Sequence, residues 1–183
     1  MKVTIVGAAR SGLAAARLAL SQGHSVFLTD SRPEVHLTDA IGQLQELGIP
    51  FESGGHSDRA LDADLCILSP GVPPAIPLRK EAETRRIPVI GELEYASRFL
   101  DNPIVAITGT NGKTTTTALT AHVLNGGGRK AVVAGNIGVP LSSLVGSIDD
   151  DTVIVVESSS YQLDTIVDFH PFVSCILNIS PDH

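Results

Sequence analysis

A chain of 183 residues, 43% hydrophobic and 18% charged, has an ordinary globular composition, with room for one or two domains at roughly 100–200 residues each. A net charge of −7 argues against nucleic acid as a partner, although a local nest of N–H groups still holds a small anion in a diffuse negative field. No apolar run approaches the ~20 residues that span a bilayer and no charged leader precedes an apolar segment, so a cytoplasmic protein without a membrane partner is expected.

Strand-like and helix-like stretches alternate along the chain. Residues 2–7 (KVTIVG) read as a buried strand, 11–23 as a helix stopped at Gly23, and 25–30 (SVFLTD) as a second strand. A helix is predicted over 38–48, ended by Gly48-Ile49-Pro50. A strand over 63–71 runs into a turn, followed by a polar helix over 77–86 and a short strand over 87–92. A connecting helix, 93–100, meets the breaker Asp101-Asn102-Pro103, and the cycle restarts. Strand 104–109 is followed by a helix from Lys113 to the glycines at 126–128, a strand over 130–136 and a short helix over 140–146. Two further buried strands are predicted, in 152–160 (TVIVVESSS) and 172–180 (FVSCILNIS). The apolar runs are continuous rather than alternating, the pattern of parallel strands covered on both faces.

An α/β fold in two units follows, 1–93 and 94–183, with the boundary between Glu92 and Asn102. Cys66 and Cys175 each sit in an apolar run and are expected to be buried, reduced thiols; they lack the partners of a zinc site. The chain stops at Pro181-Asp182-His183, directly after a predicted core strand and without a covering helix, which reads as a piece of a longer protein.

The densest chemistry lies in Gly109-Thr110-Asn111-Gly112-Lys113-Thr114. Only Thr110 and Asn111 separate its glycines, where the Walker spacing has four residues. The physics still suits phosphate: glycines permit positive φ, successive N–H groups form an anion nest, and a helix starting near Lys113 adds its dipole. Lys113 supplies a mobile charge for outer phosphates, and the Thr114 hydroxyl suits Mg²⁺. Glu157, at the end of a neighbouring apolar strand, adds a hard oxygen ligand. Asn178 and His183 follow another strand's carboxyl end, where ligands of parallel sheets gather.

The stretch Gly7–Gly12 (GAARSG) imitates a dinucleotide fingerprint, with Ala9 in place of the second glycine. Three readings stand: a helix packed closely on its strand, an NAD-dependent oxidoreductase, or a cleft for a nucleotide-containing substrate. The last is preferred. Ser11, Asp30, Ser31, Arg32, Ser69, Pro70 and Gly71 all fall at strand ends on one side, with Arg32 suited to a diphosphate.

The segments GAARSGLA, LTDSR, LSPGVP, GELE, AITGTNGKTTTT, GNIGVPL, ESSSYQLD and LNISPDH occur in this order and span nearly the whole chain. Together they resemble the amino-terminal part of a Mur ligase, and the first-unit pieces with GNIG and SSSYQL favour the D-glutamate-adding member. The resemblance implies a Rossmann-like parallel-sheet first domain for the UDP end of the substrate, then part of a P-loop NTPase-like central domain that binds ATP. A carboxy-terminal domain, and a carbamylated lysine that helps hold a second Mg²⁺, would lie beyond His183. It implies ATP-driven amide formation between UDP-N-acetylmuramoyl-L-alanine and D-glutamate, by a monomer, with Gly109 to Thr115 on ATP. Thr114 and Glu157 would hold one Mg²⁺ and His183 the second; Lys113, Glu157 and His183 would be catalytic. Asn136 would contact the muramoyl-side substrate or the transferred phosphate, and Ser158 to Gln162 would shape the same cleft. Another Mur ligase step, a folylpolyglutamate synthase-like ligase and a non-enzymatic nucleotide-binding module are the remaining alternatives.

Overall fold

The structure, a computed structural model, describes residues 1–73 and 75–180. Five parallel strands make a first sheet: β1 (Lys2–Val6), β2 (Ser25–Asp30), β3 (Phe51–Ser53), β4 (Leu65–Leu68) and β5 (Val89–Gly91), in the order β3-β2-β1-β4-β5. Four more make a second: β6 (Ile104–Thr108), β7 (Ala131–Gly135), β8 (Val153–Glu157) and β9 (Val173–Ile176), in the order β7-β8-β6-β9. The helices are α1 (Arg10–Ser21), α2 (Thr38–Glu46), α3 (Pro77–Thr84), α4 (Glu92–Ser97), α5 (Lys113–Gly126) and α6 (Ser160–Leu163). None of the described helices is long and apolar enough to cross a membrane.

Local sequence accounts for these elements. The inner strand β8, Val-Ile-Val-Val-Glu, is buried at every position because β7 and β6 flank it. In α1, Gly12, Ala15, Ala16 and Ala19 share the buried face, and their small side chains let the helix lie close to β1. Pro77 opens α3, where its missing N–H costs nothing. Strand order reverses at β1 and again at β6, and in open parallel sheets the crevice for ligands lies beyond the carboxyl ends of such strands.

Three expectations change. Strand β3 has no counterpart in the sequence reading: it is three residues long, follows Pro50, and its residues are all half-buried, so no apolar run announces it. Residues 140–146 form only a 3₁₀ turn, Leu141–Ser143, because Pro140 precedes it and Gly146 turns at positive φ. Strand β9, read as a core strand, is exposed along its whole length, and Cys175 with it. It is the outer strand beside β6, and apolar sequence alone does not supply a covering layer. Cys66 is buried as expected, and burial pushes its thiol up to about 11.

One hydrophobic cluster runs from the first sheet (Val3, Ile5, Leu28, Ile67) through Leu93, Tyr95 and Ala96 of α4 to Leu141 of the 3₁₀ turn and the second sheet (Ala134, Ile154, Val156). Helix α4 is the hinge piece of this cluster, and its two glutamates are fully buried. Glu94 Oε2 accepts the N–H groups of Val167, Asp168 and Phe169 at 2.9, 3.0 and 2.9 Å, and Oε1 accepts from Arg98. Burial alone would raise this carboxyl; the three N–H groups and Arg98 hold it below its ordinary value. Glu92 is different: Oε1 accepts the Ser142 N–H at 2.7 Å, Oε2 has no partner among the described residues, and burial raises the carboxyl.

These opposite shifts separate two substitutions. Lowered on folding, Glu94 contributes stability in full above its ordinary value of 4.5, and that contribution is lost as pH falls through the folded value. Raised on folding, Glu92 favours the fold below 4.5, and that contribution is lost as pH climbs through its elevated value. Glu94→Gln is expected to cost about 3 kcal/mol at pH 7, as for other broken buried charge clusters. Glu92→Gln is expected to match or exceed the wild type at pH 8. Urea midpoints of both variants between pH 4 and pH 8, on the order of one measurement per pH unit, check the pair.

Candidate functional site

At the carboxyl end of β6 the chain turns through Gly109 (φ +141°) and Gly112 (φ +86°), the left-handed cap of α5. Lys113 folds back over this turn, its Nζ donating to the carbonyls of Gly109 at 2.6 Å and Thr110 at 3.0 Å. The N–H groups of Thr110 and Asn111 are already hydrogen-bonded within the protein. They bond Asn178, to its carbonyl at 3.1 Å and its Oδ1 at 2.9 Å, and Asn178 Nδ2 returns a bond to the Asn111 carbonyl. The first N–H to bond within the helix is that of Thr116, to Gly112 O at 2.9 Å. The amides of Lys113, Thr114 and Thr115 therefore have no carbonyl of their own helix, and they form its positive end. Thr110 and Asn111 brace the turn; residues 113–115 present the donors.

Glu157, 2% exposed at the end of β8, joins this turn to the neighbouring loop. Its Oε2 accepts the Thr114 hydroxyl at 2.8 Å, and its Oε1 accepts Asn136 Nδ2 at 2.9 Å. The Asn136 N–H also bonds the Glu157 carbonyl at 2.9 Å. Gly135 permits the approach: a Cβ there would stand 2.4 Å from that carbonyl. Behind the turn, Ser159 and Gln162 form a capping box on α6. A cavity of about 490 Å³ is lined by Gly109, Thr110, Lys113, Ser159, Ser160 and Tyr161.

The first sheet carries its own crevice. Gly7 (φ +98°) and Gly12 are packed so closely that a Cβ on Gly12 would lie 1.8 Å from the Gly7 carbonyl. The fingerprint-like stretch thus serves close helix–strand packing. Asp30 is only 4% exposed and makes four hydrogen bonds, from the Ala8 N–H (2.6 Å), the Arg32 N–H (2.8 Å) and the Arg32 Nε and Nη2 (3.0 and 2.7 Å). Burial would raise its carboxyl, but the Arg32 side chain and the two N–H groups hold it below its ordinary value.

All eight residues assigned to substrate from the sequence border two adjoining cavities. One, of about 390 Å³, has Asp30, Ser31, Arg32, Ser69 and Gly71 on its walls. The other, of about 250 Å³, has Ser11, Ser69, Pro70, Gly71 and Asn136. Ala9, Ser69 and Gly71 are common to both, so the space runs from β2 to Asn136 beside Glu157. Sequence reasoning missed Arg10, which lines the smaller cavity and donates to Gly138 O at 2.9 Å, and His56, which lines the larger. A histidine following a glycine pair was the one signal for the latter. His183 lies outside the described residues.

Two parallel sheets with crevices at their reversal points, the second built on a glycine turn that opens a helix, define a two-sheet α/β protein of the Rossmann-like kind. Residues 1–91 match the profile described as Mur ligase MurD-like, N-terminal domain, and residues 107–183 that of the Mur ligase middle domain. The chain belongs to the Mur ligase family. The UDP-N-acetylmuramoylalanine–D-glutamate ligase of Salinibacter ruber is 50% identical over all of this chain and 40% of its own length. The chain therefore spans about 40% of such curated relatives. Among solved structures, the UDP-N-acetylmuramate-alanine ligase of Thermotoga maritima is 29% identical with a TM-score of 0.55, over 100% of this chain and 42% of that one. The UDP-N-acetylmuramate:L-alanyl-gamma-D-glutamyl-meso-diaminopimelate ligase of Neisseria meningitides, 21% identical with a TM-score of 0.61 over 100% of this chain and 61% of that one, shares the fold.

The Gly7–Gly12 contact makes a sharp test of the crevice floor. Gly12→Ala is expected to destabilise the chain by about 3 kcal/mol, at the upper end for overpacking because the obstacle is backbone. A chemical denaturation curve, compared with that of Gly42→Ala, where a Cβ meets nothing, measures it.

Proposed function

We propose that the chain forms the substrate- and ATP-binding part of a ligase that adds D-glutamate to UDP-N-acetylmuramoyl-L-alanine in the synthesis of peptidoglycan precursors. The observation that carries this reading is the bridge at Glu157, which bonds Thr114 of the glycine turn on one side and Asn136 at the cavity mouth on the other. A phosphate donor at the turn and an acceptor carboxylate in the cavity would meet across that residue. We divide the chain at 93/94, within α4, into a UDP-substrate unit and an ATP unit, and expect a cytoplasmic monomer.

The reaction follows from charge. The L-alanyl carboxylate of the substrate attacks the terminal phosphorus of ATP; ADP leaves and an acyl phosphate forms. The D-glutamate amine then adds to the acyl carbon and gives up a proton to solvent, and phosphate leaves with its electron pair as the amide forms. Two anions must meet in the first step, so fixed positive charge has to offset their repulsion. The Lys113 ammonium and the amides of residues 113–115 provide it. The Thr114 hydroxyl and the Glu157 carboxylate are hard oxygen donors already in contact, and they fit Mg²⁺ bound chiefly through phosphate oxygens and water. No cluster of three or more His, Cys, Asp or Glu side chains among the described residues makes a self-sufficient metal cage, in keeping with that mode. When bound, the ion would neutralise phosphate charge. His183 is assigned to a second Mg²⁺ by family resemblance alone.

In the whole ligase, Lys113→Ala is expected to lower turnover by about 100-fold or more, the scale for losing a charge-stabilising donor. Phosphate release in the presence of ATP, UDP-N-acetylmuramoyl-L-alanine and D-glutamate measures this; near-wild-type turnover would refute the assignment. The 183 residues alone are expected to show no ligation in the same assay.

A further inference from the structure

His56 lies half-buried on the loop after β3, on the wall of the cavity that also holds Asp30, Arg32 and Ser69. Its Nδ1 is 2.7 Å from Oγ1 of Thr29, a fully buried residue of β2. Thr29 Oγ1 is in turn 2.8 Å from Glu52 Oε1 and 3.3 Å from the Gly55 carbonyl. A hydroxyl has one proton; His56 Nδ1 and Glu52 Oε1 stand at nearly equal distance from its oxygen, and the charged carboxylate is the stronger acceptor and takes the proton. The Thr29 oxygen keeps only lone pairs toward the imidazole, so Nδ1 carries the ring proton and donates it. Glu52 is itself fixed by the N–H and the hydroxyl of Ser57. Burial would raise its carboxyl; the Ser57 and Thr29 bonds bring it below its ordinary value, so it is ionised at neutral pH. With Nδ1 engaged by Thr29, Nε2 is the ring nitrogen left to accept.

The acidic group on that wall, Asp30, is committed. Asp30 already accepts four hydrogen bonds, so a ligand donor meets no spare capacity there while Arg32 stays in place. Position along the cleft identifies what reaches His56. The reacting carboxylate belongs at Asn136 and Glu157, in the smaller cavity and beyond; His56 lines the larger one, at the opposite end. A long nucleotide-linked substrate with its reacting group at Asn136 has its nucleoside at that far end.

We propose that His56 reads the nucleoside: Nε2 accepts a hydrogen bond from a nucleoside donor, the imide N–H of a uracil-type base or a ribose hydroxyl, with Thr29 and Glu52 as positioning residues. This rests on the reading of the cleft as the site of a UDP-linked substrate.

Titration calorimetry of the 183-residue chain with UDP, CDP, 2′-deoxy-UDP and 3′-deoxy-UDP tests it. The wild type is expected to favour UDP over at least one analogue by about tenfold, the cost of leaving one buried hydrogen-bonding group unpaired. Discrimination against CDP would name the base, and discrimination against a deoxy analogue the ribose. His56→Ala and His56→Phe, the second keeping the ring volume, are expected to weaken UDP and erase that discrimination with unchanged circular dichroism. His56→Gln, which retains an acceptor, restores part of it. Thr29→Val is expected to follow His56→Ala, and Thr29→Ser the wild type. A wild type that ranks all four ligands alike, or His56 variants that keep the wild-type ranking, would overturn the role of His56 alone. No binding of UDP by the wild type would overturn the reading of the cleft, and this proposal with it.

Discussion

The two buried carboxylates of α4 are the constraint on which the rest of the molecule depends. A six-residue helix is too short to be stable by itself, and its position here is set by what Glu92 and Glu94 accept. Glu94 gathers three consecutive amides of the segment that leads into β9, and Glu92 takes the amide of Ser142 beside the β7 loop. All four bonds reach segments that connect the strands of the second sheet, while β5, which feeds α4 directly, belongs to the first. The cluster of Leu93, Tyr95 and Ala96 fills the space between, with the Tyr95 ring edge-on to Phe99 at 5.2 Å. Electrostatics fixes the direction of the helix and apolar contact fixes its depth. The two crevices are thereby held on a common side.

That placement gives the cleft its continuity. Ala9 and Ser69 stand where the two cavities meet, and Ser69 also bonds the Gly7 carbonyl at 3.0 Å, which ties the β4 turn to the β1 turn. From there the wall passes through Arg10 to the Gly138 loop and reaches Asn136 and Glu157. Each step is a bond between loops at the carboxyl ends of parallel strands. The sheets themselves contribute rigidity; the chemistry lies in the turns they hold.

Much of this was legible in the sequence, for reasons particular to each residue. Continuous apolar runs such as Val153–Val156 mark inner parallel strands whatever surrounds them. Glycines 109 and 112 stood out as turn formers ahead of a lysine and a helix, Glu157, Asp30 and Arg32 as polar groups at strand ends, and Asn136 through the family resemblance. What stayed hidden were partnerships. Nothing in the sequence says that Asn178 takes the amides of Thr110 and Asn111, or that Arg32 already occupies Asp30. The link between His56 and Thr29 crosses 27 positions and depends on β3, whose three residues give no pattern. The exposure of β9 was misread because burial belongs to neighbours, not to a strand's own side chains.

The pairing of Arg32 with Asp30 has a bearing on selectivity. At rest the two cancel one another's charge, so the outer crevice offers an incoming molecule little net field. Drawing the guanidinium away toward an anion strips the carboxylate of two of its four bonds in a site where water has little access. A bare anion is therefore a poor guest. With the pair intact both groups stay satisfied, and a ligand donor finds its acceptor elsewhere on the same wall. The Arg32–Asp30 pair is thus a charge-balanced part of the outer wall, and displacing either member carries a cost that the rest of the crevice must offset.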